Sequence, residues 1–248
     1  MSVPLWAVEL ADGFWALTGE AAPPAPRDLP GPIAFALPLA VVGLPWLRGS
    51  GVERWLRRQE ILCALGGRER TLRACLVARF GHGAIFLDSA DPDDERRFSL
   101  AHELAHFLRH YRRQRLDACR MLGPEILQVL DGVRPARYDE RAHALLAQVQ
   151  IGYHVHLMER EAGGAAGSER VRRAEAEADV LACELLAPAV EVEQALRGTA
   201  GDARHEAAIA LLRERYGLPA GAARQYAARI APRAEQQRGL LQRLRAAP

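Results

Sequence analysis

The chain has 248 residues, 49% of them apolar, enough for one large domain or two small ones. Its formal net charge is only +2, so no strong field directs it to nucleic acid or to an anionic membrane. Four scattered cysteines, Cys63, Cys75, Cys119 and Cys183, form no C-x-x-C pair, which argues against a thiolate zinc site and against a disulfide framework.

In chain order, residues 3–19 read as a hairpin, two apolar, aromatic-rich runs around the turn signal Ala11-Asp12-Gly13. The proline-rich stretch 21–32 reads as a linker, since proline removes backbone donors and fixes φ. Residues 33–44 read as a buried strand and 52–65 as a short helix. The longest apolar stretch, IAFALPLAVVGLPWL, is shorter than the ~20 residues of a spanning helix, and Pro38 and Pro45 interrupt it. The N-terminus lacks the basic start and apolar block of a secretory signal, so a soluble cytoplasmic protein is expected.

A second hairpin is predicted from TLRACLVARF and GAIFLDS, with Gly81-His82-Gly83 between them. Asp91 is the expected N-cap of the next helix and Pro92 its first residue. This helix should run to about residue 113, with Phe98, Ala101, Leu104, Ala105 and Leu108 as its apolar stripe. Residues 114–168 are mixed, with helical patterns near 124–131 and 139–150. A strong helix is expected at 169–187, stopped by Pro188, followed by Ala- and Arg-rich helices broken at Gly198, Gly217-Leu218-Pro219 and Pro232. Strands first and helices after indicate an α+β fold.

The chemistry lies in His102-Glu103-Leu104-Ala105-His106, the pattern H-E-x-x-H on a helix. Two histidines four apart share a helix face and can share one cation. Glu103 lies beside that cation, poorly placed to bind it but placed to take a proton from an activated water. A catalytic zinc takes three protein ligands. His110 is one turn too far along a straight helix, and Arg109 and Arg112 stand where a metzincin would need Gly and His. The helix 169–187 offers Glu175, with Asp179 on the same face to accept a hydrogen bond from a ligating imidazole. Glu177 is the rival, although Arg173 four residues earlier suits it to an exposed ion pair.

RRFSLAHELAHFLRH followed by EAEADVLACELLAP resembles the ImmA/IrrE family of bacterial metallopeptidases. In that family two His of H-E-x-x-H and a downstream Glu hold the metal. Its second motif resembles E-x-x-A-N-x-F-A-x-x-L-L-x-P, and Glu175, Ala178, Ala182, Leu185, Leu186 and Pro188 match it. The resemblance implies His102, His106 and Glu175 as ligands of one Zn2+ (Mn2+ and Fe2+ suit the same donors) and Glu103 as the catalytic base. It implies a zincin-like domain at 33–190, preceded by residues 1–32 and followed by a helical region at 191–248. Asp179 stands where Asn is common, in a chain that contains no Asn, and Leu181 replaces Phe. The connection between the motifs is long, so an insertion at about 114–168 is expected beside the site. The segment AIALLRERYGLPAGAARQYAARI resembles a helix-turn-helix, with a plain helical pair as the simpler alternative.

Family members cleave helix-turn-helix repressors in stress responses, so the implied partner is such a repressor. Two other functions compete: a non-catalytic zinc protein that binds a repressor, and a DNA-binding protein with a vestigial site. Retention of Glu103 favours a peptidase over the former, and the low net charge disfavours the latter. Tyr153, His154 and His156 form a further polar cluster, either a source of an oxyanion donor or simply packing and partly exposed residues. The strand at 83–88 is the expected edge for pairing with an extended substrate. Arg109, Arg112, Arg113 and Arg115 form either a basic patch or a solvated helix end.

Overall fold

The computed structural model describes residues 3–19, 23–65, 69–141, 151–160 and 168–233. The chain divides into two compact units, Leu29–Ala178, and Met1–Asp28 together with Asp179–Pro248.

The unit Leu29–Ala178 is built on a four-stranded sheet of order β1-β3-β2-β4. Strand β1 is Leu39–Leu44, β2 Leu72–Arg79, β3 His82–Asp88 and β4 His154–Glu159. The β2–β3 hairpin forms as predicted, but its turn is Phe80-Gly81. Both residues have positive φ, 55° and 82°, the primed geometry that matches strand twist. His82 and Gly83 are strand residues instead. A Cβ on Gly83 would lie 2.8 Å from Leu39 Cδ1, so glycine lets β1 approach.

Two expectations change here. Residues 33–44 are not one strand: Pro30–Ala36 form helix α2, with proline in its first turn, and β1 begins only at Leu39. Strand β3 is not an edge, because β1 pairs with it in parallel and β2 antiparallel. Among the described residues the outer strands are β1 and β4.

Helix α3, Gly49–Arg58, covers one sheet face. There Val52, Leu56, Leu72, Cys75, Val77, Ala84 and Phe86 form a buried cluster. Strand alternation turns Ala74, Leu76, Ala78, Ile85 and Leu87 to the opposite face. Helix α4, Asp93–His106, packs on the sheet and buries the predicted stripe of Phe98, Ala101, Leu104 and Ala105. Its N-cap is Pro92, one residue later than expected, and Asp91 pairs instead with Arg160 at 2.6 Å. After α4 the chain continues as one wider π turn, Phe107–Arg112, and then as α5, Arg113–Leu122. Helix α6 is Ile126–Leu130, and most of the pattern expected at 139–150 lies outside the described residues.

In the other unit, residues 3–19 form helix α1, Leu5–Leu17, not a hairpin. The buried Ala7, Ala11, Phe14 and Trp15 have helical spacing, and Trp15 Nε1 donates to Leu185 O at 3.3 Å. Arg27, 4% exposed, donates to the same carbonyl and to Glu191. Helix α7, Glu169–Leu186, belongs to this unit only from Asp179 onward and is followed by α8, Ala189–Ala195, α9, Gly201–Glu214, and α10, Ala220–Ile230. The breaks fall where Gly198, Gly217 and Pro219 predicted. Among the described residues no helix is long and apolar enough to cross a membrane.

Candidate metal centre

Three elements of the unit Leu29–Ala178 meet at one point. Helix α4 contributes His102 and His106, the first ten residues of α7 contribute Glu175, and β4 contributes His156. Alternation explains the last: His156 pairs with Leu76 and His154 with Ala78, so both project toward α4. Ser168 Oγ accepts from the Val171 N–H at 3.3 Å and starts α7, which sets Glu175 two turns in.

The donor atoms of His102, His106, His156 and Glu175 all lie within 4.8 Å of one another. His102 Nε2 is 3.1 Å from His106 Nε2 and 3.4 Å from Glu175 Oε2, and His106 Nε2 is 3.5 Å from Glu175 Oε1. Ligand atoms at ~2.0–2.1 Å from a tetrahedral zinc lie roughly 3.3–3.4 Å apart. These three donors therefore fit a single cation. Glu177 lies outside the group; it takes Arg173 at 3.1 Å and Arg109 at 3.0 Å.

Glu103 is fully buried beside the histidines. Both its oxygens lie 2.9 Å from His156 Nδ1, and His156 Nε2 is 2.9 Å from Glu175 Oε1. The His156 ring stacks on His106 with centroids 3.7 Å apart. Behind His106, its Nδ1 is 3.0 Å from His110 Nδ1, and His110 Nε2 is 3.5 Å from Glu177 Oε2. His110 thus sits on the π turn as a support that can fix the His106 ring with Nε2 toward the cation.

The electrostatics favour ligation. Burial first, then the neighbouring imidazoles, holds His106 neutral far below the usual histidine range. Burial also works against ionised Glu175, but hydrogen bonds from His102 and His156 outweigh it and keep the carboxylate charged. Burial disfavours a charged His156 too, yet Glu103 and Glu175 raise it to about 10, so without metal an imidazolium bridges the two carboxylates.

Of the polar cluster at 153–156, only His156 reaches the donor group. Tyr153 lies against Arg79, with Cζ 4.6 Å from the ring centroid, and His154 against the Tyr111 ring at 5.7 Å. A cavity of about 560 Å3 opens beside the site, lined by His110, Gln114, His154, His156, Arg173 and Glu175 among others. Asp179 is one turn beyond Glu175 on α7 and begins the other unit. Arg109, Arg113 and Arg115 each meet a carboxylate, Glu177, Asp117 and Asp131. They form a neutralised helix surface and not an open basic patch.

Residues 67–125 match the model of the IrrE N-terminal-like domain, a metallopeptidase family. This segment is similar to the ImmA/IrrE family. The IrrE-like match takes in β2, β3, α4, the π turn and α5, hence His102, Glu103 and His106, and stops before His156 and Glu175. No curated protein matches the chain. The domain is of metallopeptidase type, with a His/Glu group able to hold a metal.

Sequence reasoning missed β4 and, with it, the place of His156 in the donor group. The available signal was the alternation His154-x-His156 in a short β-prone run.

Proposed function

We propose that the protein is a zinc-dependent endopeptidase that cleaves a helix-turn-helix repressor. The observation that carries the reading is the convergence of His102, His106 and Glu175 from two helices, with Glu103 buried beside them. His102, His106 and Glu175 would hold the zinc, which supplies an acidified water and a Lewis acid for the scissile carbonyl. Glu103 takes the proton from the attacking water and passes it to the leaving amine. His110, backed by Glu177, keeps the His106 ring in place. The buried walls of α4 and the sheet shield the Glu103 carboxylate from bulk solvent. Among the described residues the outer side of β4 pairs with no strand, and this edge beside the site is suited to an extended peptide. The stress-response role and the repressor substrate are carried over from the ImmA/IrrE resemblance, and a cytoplasmic location from the sequence pattern.

Zinc-loaded protein mixed with the repressor encoded nearest to it should give one discrete cut. Glu103→Gln should lower the rate by a factor of about 100 or more while one zinc per chain is retained. Absence of a cut in every helix-turn-helix repressor tried would favour a non-catalytic metal protein.

A further inference from the structure

We propose that His156 is a fourth protein ligand, so that the resting metal centre is closed and its base is engaged. The inference rests on the metal-centre reading above and concerns how that centre is regulated.

Three observations carry it. His156 belongs to the same donor group as His102, His106 and Glu175, all within 4.8 Å, and the nitrogen it turns to Glu175 is Nε2, 2.9 Å from Oε1. The His156 ring lies flat against His106, 19° from parallel, which places its Nε2 on the side where the other donors converge. Its opposite nitrogen, Nδ1, lies 2.9 Å from both oxygens of Glu103. A carboxylate behind the far nitrogen of an imidazole is the usual support of a histidine that binds zinc.

The consequence is chemical. Zinc in a structural site is closed by four protein donors, whereas a catalytic site keeps one position for water. Three imidazoles and Glu175 complete the tetrahedron. Glu103 then accepts from His156 Nδ1–H and not from water, so the base and the water site are withdrawn by one side chain.

The fold supplies a way to open. His156 stands on an outer strand bonded only to β2 among the described residues, with a register irregularity between Leu72 and Ala74. The cavity of about 560 Å3 beside it can take the displaced ring. A peptide pairing with the outer edge of β4 would act on the strand that carries the fourth ligand.

The test uses the full chain loaded with Zn2+ or Co2+. X-ray absorption at the zinc edge should count three imidazoles in the wild type and two in His156→Ala. The Co2+ visible bands of the wild type should resist excess azide, and those of His156→Ala should shift. Chelator competition should show metal held about tenfold or more weaker in the variant. Two imidazoles in the wild type, or equal azide shifts in both proteins, overturns the proposal. The wild-type count stands even if His156→Ala fails to fold. Full metal retention by His102→Ala and His106→Ala would instead sink the metal centre itself.

Discussion

At the scale of single residues, the histidines beside the site are held in opposite states by their surroundings. His154 is lowered to about 4, by burial first and then by His110 and His156. An unfolded histidine binds a proton near pH 6.5, so below that the unfolded chain takes up a proton that folded His154 refuses. Stability should therefore fall as pH drops from about 6.5 to about 4. His154→Leu should flatten that part of the curve by up to one proton, as measured by urea unfolding at several pH values on metal-free protein. An unchanged slope would show that His154 does not stay neutral. The local pattern around His102, Glu103 and His106 was legible because their spacing is set by a single helix. His156 was not, because its place depends on which strand pairs with β2, a contact between residues far apart in sequence.

At the scale of elements, β4 is held by more than its ladder. Arg160, just past its end, donates to Asp88 at 2.8 Å and to Asp91 at 2.6 Å. Asp88 is 3% exposed and also accepts from the Trp46 and Leu47 backbone N–H groups. The clamp ties the strand that carries His156 to the loop that starts α4. Arg160→Met keeps the apolar stem but leaves two largely buried carboxylates without their cation. A fully buried pair broken this way costs ~3–5 kcal/mol; solvent access to Arg160 reduces this to about 2 kcal/mol. The melting temperature should fall by about 4–8 °C by calorimetry, and an unchanged value would show that the clamp is idle. The hairpin β2–β3 and helices α4, α7, α9 and α10 follow from local periodicity and breakers. Helix α1 did not, because Ala11-Asp12-Gly13 carries a turn signal that packing overrides. Phe14 and Trp15 are both buried, and Trp15 bonds the Leu185 carbonyl, 170 positions away in sequence.

At the scale of the molecule, the candidate ligands His102, His106, His156 and Glu175 all belong to the unit Leu29–Ala178. A cation bound there joins α4, β4 and the start of α7, and the unfolded chain has no such site. Binding to the folded state alone stabilises by about 4 kcal/mol when free metal is a thousandfold above Kd. Chelation should therefore lower the melting temperature, by roughly 8–16 °C at 2–4 °C per kcal/mol. Part of that loss is offset at neutral pH, because an imidazolium at His156 bridges Glu103 and Glu175 when the metal is gone. The offset depends on a folded pKa raised from 6.5 to about 10, so it is fully present below 6.5 and disappears as pH rises toward 10. The metal-dependent shift should thus grow from pH 7 to pH 9. Glu175→Ala should reduce it clearly, and Glu177→Gln should leave most of it, since Glu177 lies outside the donor group and pairs with arginines. Scanning calorimetry of the four combinations, with and without EDTA at both pH values, decides this. A metal-dependent shift as large in Glu175→Ala as in the wild type would remove α7 from the centre.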